Sequence, residues 1–204
     1  MMRRGFLQAG GGSSRFGSDK ALAELAGKSM LQRNGELLAS VCDEVSIVAP
    51  AGKYPNATWP VLPDRWPGEG PLGGILTALS TMQPSESGAA WALIVSCDMP
   101  FLAQEFLVFL WERASTSHAQ VVVPQTVGGL EPLCACWCVD AAAGVRSAFD
   151  SGVRKVTDAM KRLPMEVLDE SAWKRFDTEG RLFWNMNTPA DFTEARRILE
   201  ARER

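Results

Sequence analysis

Leu7-Gln8-Ala9-Gly10-Gly11-Gly12-Ser13-Ser14-Arg15-Phe16-Gly17-Ser18-Asp19-Lys20 is a short apolar run that empties into glycines and then meets two cations. Small side chains let a phosphorylated ligand approach backbone N–H groups that bulkier residues would shield, while Arg15 and Lys20 supply countercharge. The stretch reads as a triphosphate cradle at the end of a first strand spanning Gly5 to Ala9. Two better-known glycine patterns do not fit. The P-loop places lysine directly after its second glycine, but Ser18 follows Gly17 and Lys20 comes two positions late. The dinucleotide fingerprint needs a third glycine where Arg15 stands. The residues alone leave a second reading open, an ordinary solvated loop between a strand and a helix.

Outward from this stretch the chain alternates strands and helices. Lys28 to Val41 carries Met30, Leu31, Leu37, Leu38 and Val41 on one helical face, and Glu44 to Ala49 follows as a second strand closed by Pro50. A right-handed crossover makes the two strands parallel. Pro60 to Leu62 is at most an edge strand. Pro63 to Gly74 is turn chemistry throughout and opens a helix over Leu72 to Met82, whose N-terminus at Gly70-Pro71 suits an anion or a base carbonyl. Trp91 to Ser96 is continuously apolar, as a central strand covered on both faces should be. Asp98 follows at its carboxyl end, where open α/β sheets bind ligands, and a lone carboxylate there suits Mg²⁺ that completes its shell with water and phosphates. Capping of a helix over Ala103 to Ala114 is the competing reading of Asp98.

Ala119 to Pro124 and the alternating Cys134 to Val139 read as strands joined through Val127-Gly128-Gly129. Asp140 to Phe149 and Val153 to Leu163 read as helices broken at Gly152. Thr188 as N-cap, Pro189 at the first helical position and Asp191 in the first turn start a last helix, with Phe192, Ala195 and Leu199 on one face. Asn185 and Asn187 just before it are unexplained by capping and offer two side-chain amides to a polar ring system. A structural role in the loop stays open for both. Asp64 after Pro63 has a turn-forming reading of its own.

The 204 residues, 46% of them apolar, suffice for one domain with one core. A net charge of −3, with 24 acids against 21 bases, argues against a nucleic-acid partner but permits a small anion held by a local pair of cations. Five cysteines without secreted-domain spacing, and no leader pattern before them, point to the cytoplasm. Cys134, Cys136 and Cys138 share one strand face, but the single histidine, His118, lies far off in sequence, so core packing is expected rather than a metal site. No apolar run is long enough to span a membrane.

The order Ala-Gly-Gly-x-Ser-x-Arg-x-Gly-x-Asp-Lys resembles the opening of the nucleotidyltransferases with a diphospho-sugar-transferase type of fold, and most of all that of the molybdenum cofactor guanylyltransferases. Cys97-Asp98-Met99-Pro100-Phe101, the Gly70 to Gly74 stretch, Pro132-Leu133 and Asn185-x-Asn187-Thr188-Pro189 are similar to family segments in the same order. Phe16 stands where the family usually has methionine, Gln8 where it has leucine, and Ala49 where some members place asparagine.

The resemblance implies a single nucleotidyltransferase domain over residues 1–204, three-layered α/β/α with a mostly parallel, Rossmann-like sheet. It implies that GMP passes from Mg·GTP to the terminal phosphate of molybdenum-molybdopterin, with Mg²⁺ on Asp98 and with Arg15 and Lys20 offsetting charge. Gln8, Ala9, Gly10, Gly11, Gly12, Ser13, Arg15, Lys20, Asp64, Gly70, Pro71, Leu72 and Asp98 are then expected around GTP. Glu131, Pro132, Leu133, Asn185 and Asn187 are expected around the acceptor, with molybdoenzymes or a cofactor-delivery protein as partners. A molybdopterin cytidylyltransferase or a sugar-phosphate nucleotidyltransferase would share cradle and metal, and a non-catalytic nucleotide-binding partner protein would share the fold.

Overall fold

The computed structural model describes residues 2–10, 19–83 and 90–202. The strands are β1 (Arg4–Gln8), β2 (Glu24–Leu25), β3 (Lys28–Ser29), β4 (Glu44–Ala49), β5 (Val61–Pro63), β6 (Trp91–Ser96), β7 (Val121–Thr126), β8 (Gly129–Leu130), β9 (Cys134–Cys138) and β10 (Met165–Leu168). The helices are α1 (Met30–Ala39), α2 (Pro71–Ser80), α3 (Gln104–Thr116), α4 (Ala141–Asp150), α5 (Val156–Met160), α6 (Glu170–Trp173) and α7 (Pro189–Arg202).

The main sheet runs β10-β7-β9-β6-β1-β4-β5, with β8 paired to β7. β1 is parallel to both β4 and β6, β4 to β5 and β7 to β10, whereas β9 is antiparallel to β6 and β7. The order reverses at β1. The chain builds outward through β4 and β5, then returns to lay β6 on the other side of β1, and such a reversal opens a crevice at the strands' carboxyl ends. Since β9 runs against its neighbours, its start, after Glu131-Pro132-Leu133, lies on that same edge.

Period-two alternation sends each strand's side chains into two layers. Leu7, Ile47, Leu93 and the three β9 cysteines pack with Leu31 and Leu38 of α1 and Phe106 and Leu110 of α3. Phe6, Val48, Ile94 and Trp137 pack with Leu72, Ile75 and Leu79 of α2, Val145 of α4 and Met160 of α5. The three-layer α/β/α expectation holds. Cys134, Cys136 and Cys138 are buried in the core, and the described residues contain no group of three or more His, Cys, Asp or Glu that could hold a metal ion.

A smaller cluster ties the chain's two ends together. Leu25 and Met30 meet Phe101, Met186, Ala195, Ile198 and Leu199. Here the sequence reading needs correction. Lys28 and Ser29 belong to a hairpin, not to the helix, because Ala26 (φ +47°) and Gly27 (φ +71°) make the two-residue left-handed turn that joins β2 to β3. α1 starts at Met30, with Ser29 Oγ accepting from the Gln32 amide at 3.2 Å. The helix placed over Val153 to Leu163 is confined to α5, because Lys155 is extended. α3 starts at Gln104 with Ala103 as N-cap, so Asp98 does not cap it.

Candidate functional site

The carboxyl edge of the sheet is built around Asp98. Two backbone bonds seat the end of β6 between its neighbours: Ser96 donates to the Leu133 carbonyl at 2.8 Å and Cys97 to the Gln8 carbonyl at 3.0 Å. Asn34, buried on the inner face of α1, donates Nδ2 to the Cys97 carbonyl at 3.1 Å. The Met186 amide donates to the carbonyl of Asp98 itself at 2.9 Å. Ser96 Oγ donates to Asp98 Oδ1 at 2.6 Å and so sets the rotamer of the half-buried carboxylate. Its backbone is therefore pinned from a helix, a strand and the C-terminal segment.

Lys20 reaches the same edge from a short 3-10 turn, Lys20–Leu22, capped by Asp19, whose Oδ1 accepts from the Ala21 amide at 3.1 Å. Lys20 Nζ donates to Asn187 Oδ1 at 3.1 Å. Through Asn187 and its neighbour Met186, the ammonium of Lys20 and the loop of Asp98 share one segment as their common support. That segment is fixed in turn by the α7 cap, where Asp191 Oδ2 accepts from the Asn187 and Thr188 amides at 2.8 and 2.7 Å.

Gly11, Gly12, Ser13 and Arg15, expected around a nucleotide, lie outside the described residues. The flanking positions are placed. Gln8 is buried and turns toward α2, donating Nε2 to the Pro71 carbonyl at 3.3 Å. Both backbone groups of Ala9 are engaged, its amide with the Val48 carbonyl and its carbonyl with Tyr54 Oη, each at 3.0 Å. Gly10 and Pro71 are exposed, and Gly70, the residue just before α2, stands at φ +80°, a conformation glycine adopts without strain. The Leu72 side chain is fully buried against the sheet, so only its backbone can face a ligand. Asp64 Oδ1 accepts from the Trp66 amide at 2.9 Å and from Thr77 Oγ1 at 3.1 Å, the bonds of a turn former.

On the other flank, Glu131 opens into a cleft of about 550 Å³ that Thr126, Trp173, Lys174, Arg181 and Trp184 also line. Thr126 Oγ1 donates to Glu131 Oε1 at 3.0 Å, and burial pushes the Glu131 carboxyl above its ordinary pKa. The Pro132 carbonyl takes Trp137 Nε1 at 3.3 Å. Trp184 stacks on Phe101 with centroids 5.4 Å apart and planes within 3°. Asn185 donates Nδ2 to the Phe183 carbonyl at 3.2 Å. The structure thus brings Glu131 together with Arg181, Phe183 and Trp184 of the segment before α7 in one cleft, although 50 or more positions separate them in sequence; Asn185 and Asn187 do not line it.

Sequence reasoning missed Ser96, Asn34, Lys53 and Tyr54. A polar residue among the apolar positions of α1 was the available signal for Asn34; for Tyr54 it was the chain's single tyrosine, set in a loop of mostly small and polar residues. His118 precedes β7 and therefore lies at the opposite edge of the sheet from Asp98. The arrangement offers a carboxylate and an ammonium, with a cleft of its own at Glu131 and no imidazole beside them. That inventory suits transfer of a phosphorylated group by charge compensation rather than by a nucleophile triad.

A family model described as "MobA-like NTP transferase domain" matches residues 5–164. A "Probable molybdenum cofactor guanylyltransferase" of Chloroflexus aggregans is 32% identical, covering 94% of this chain and 92% of its own. A "Molybdenum cofactor guanylyltransferase" of Rhodopseudomonas palustris is 33% identical over 93% and 90%. Among solved structures, molybdopterin-guanine dinucleotide biosynthesis protein A from Archaeoglobus fulgidus superposes with a TM-score of 0.84 at 24% identity, covering 97% of this chain and 99% of its own.

Proposed function

Since this chain belongs to the family of MobA-like NTP transferase domains, we propose that it transfers GMP from Mg·GTP to the terminal phosphate of molybdenum-molybdopterin, giving molybdopterin-guanine dinucleotide and pyrophosphate. The observation that carries the reading is the meeting of Asp98, Lys20 and the Asn185–Asn187 segment at the carboxyl edge of the sheet, with the Glu131 cleft alongside.

A phosphate monoester with a second pKa near ~6 is already mostly dianionic at neutral pH, so the acceptor needs no base to attack. Its oxygen bonds to the α-phosphorus of GTP while the bond to the β-phosphate oxygen breaks and pyrophosphate leaves with the electron pair. Lys20, with Arg15, offsets the charge gathering on that leaving group. Nucleotidyltransferases of this family use a divalent metal. A single oriented carboxylate fits Mg²⁺, which takes most of its ligands from water and phosphates. Asp98 would hold that ion, which when bound neutralises charge on the triphosphate. Asp64 and the backbone from Gly70 to Leu72 face the nucleoside; Asn185, Asn187 and Glu131 to Leu133 face the pterin acceptor. The product then passes to a molybdoenzyme or a delivery protein in the cytoplasm. No described helix is long and apolar enough to cross a membrane.

Pyrophosphate release with Mg²⁺ and molybdopterin, offered GTP, CTP, ATP and UTP separately, tests the assignment. Release with GTP alone is the expected result. Release with CTP alone would move the protein to cytidylyl transfer, and silence with all four would overturn the reading.

A further inference from the structure

Tyr54 is the only tyrosine in the chain, and nothing in the reaction above uses it. Its residue lies in the loop after β4 at φ +53°, a left-handed backbone that is strained for a residue with a Cβ. Only 7% of it is exposed. The hydroxyl oxygen lies 3.0 Å from the Ala9 carbonyl oxygen and 3.0 Å from each carboxylate oxygen of Asp19. One hydroxyl therefore touches both flanks of residues 11–18: the chain leaving β1 and the residue that caps the turn of Lys20. Lys53 Nζ adds a 2.6 Å ion pair to Asp19 Oδ2. The single phenolic proton can serve only one of the three oxygens at a time, and the Lys53 ammonium offsets the repulsion of the others. Burial, and then the Asp19 charge, raise the phenol's pKa, so the hydroxyl remains a donor.

We infer that Tyr54 is a positioning residue for nucleotide binding: acting through Asp19, it holds Lys20 in register with the end of β1 and so fixes where the ammonium stands relative to Asp98. A glycine or asparagine would adopt this backbone with less strain; what tyrosine adds is a hydroxyl that reaches two chain segments at once. The inference rests on the proposal that Lys20 meets the triphosphate.

Tyr54→Phe keeps the ring and deletes only the hydroxyl. The dissociation constant of Mg·GTP, measured by calorimetry, and the KM for GTP are expected to rise ~10-fold, the loss seen when one bond to a charged group goes. The KM for the acceptor stays at the wild-type value, and Tm falls by no more than about 4 °C. In a Lys20→Met background the same change adds no further loss of GTP affinity, because its effect runs through Lys20. Wild-type GTP affinity in Tyr54→Phe would overturn the inference, and so would an equal loss in both backgrounds, the mark of a merely structural role. Lys20→Met alone separates the two claims: unchanged Mg·GTP affinity in that variant refutes the contact of Lys20 with the triphosphate, whereas weakened affinity there beside wild-type affinity in Tyr54→Phe refutes the role of Tyr54 alone.

Discussion

Asp98→Asn isolates the charge that the proposed reaction depends on. The asparagine Oδ1 can still accept from Ser96 Oγ, and the bonds from Asn34 and Met186 end on backbone carbonyls that the substitution leaves in place. Stability should therefore stay close to wild type, with Tm within about 2 °C. Turnover should not. Removing one preorganised electrostatic stabiliser costs ~2.7–4 kcal/mol in the transition state, a fall of ~10²–10³-fold in kcat. Asp98→Ala adds the loss of the Ser96 bond, about 1 kcal/mol, and lowers Tm by about 2–4 °C on top of the same kinetic loss. The assay is steady-state pyrophosphate release with Mg²⁺, GTP and molybdopterin, alongside thermal melts of each variant. Turnover within tenfold of wild type in a normally folded Asp98→Asn variant would refute the assignment of this carboxylate to the reacting phosphates.

Three further changes probe other parts of the molecule. Lys20→Ala should lower turnover by ~10²-fold or more with little change in melting, since Lys20 Nζ bonds an exposed asparagine; activity near wild type would remove it from the reaction. A folded-state pKa above the unfolded value means that Glu131 favours folding below about pH 4.3 and that this contribution is lost as pH rises through the folded value. Glu131→Gln should thus melt higher than wild type near neutrality and equal to it in acid, and a pH-independent difference would contradict this. A Cβ at Gly35 would stand 2.1–2.6 Å from three ring carbons of Trp59, so Gly35→Ala should destabilise by about 1–3 kcal/mol through overpacking, read as a lower denaturant midpoint; an unchanged midpoint would show that the Trp59 ring moves aside freely.

Much of the fold is legible in the sequence because one signal dominates each element. Trp91 to Ser96 is apolar without interruption, and it is β6, buried along its whole length between β1 and β9. Glu44 to Ala49 matches β4 residue for residue, and Thr188-Pro189-x-Asp191 starts α7 where local capping chemistry says it must. The β2–β3 hairpin and β10 were not legible, being strands of two and four residues whose partners come from the turn and from β7.

The sequence by itself determined the chemical repertoire: a glycine-rich stretch with cations, a carboxylate at a strand end and paired amides before the last helix. These are properties of residue type and local spacing. Only the tertiary structure decided which of them meet. The reversal of strand order at β1 and the antiparallel β9 put the ends of β1 and β6 and the start of β9 on one edge, and the small core around Met30 and Met186 brings Asn187 to Lys20. Tyr54 could be assigned no role from sequence, because its partners Ala9 and Asp19 are joined to it only by long-range packing.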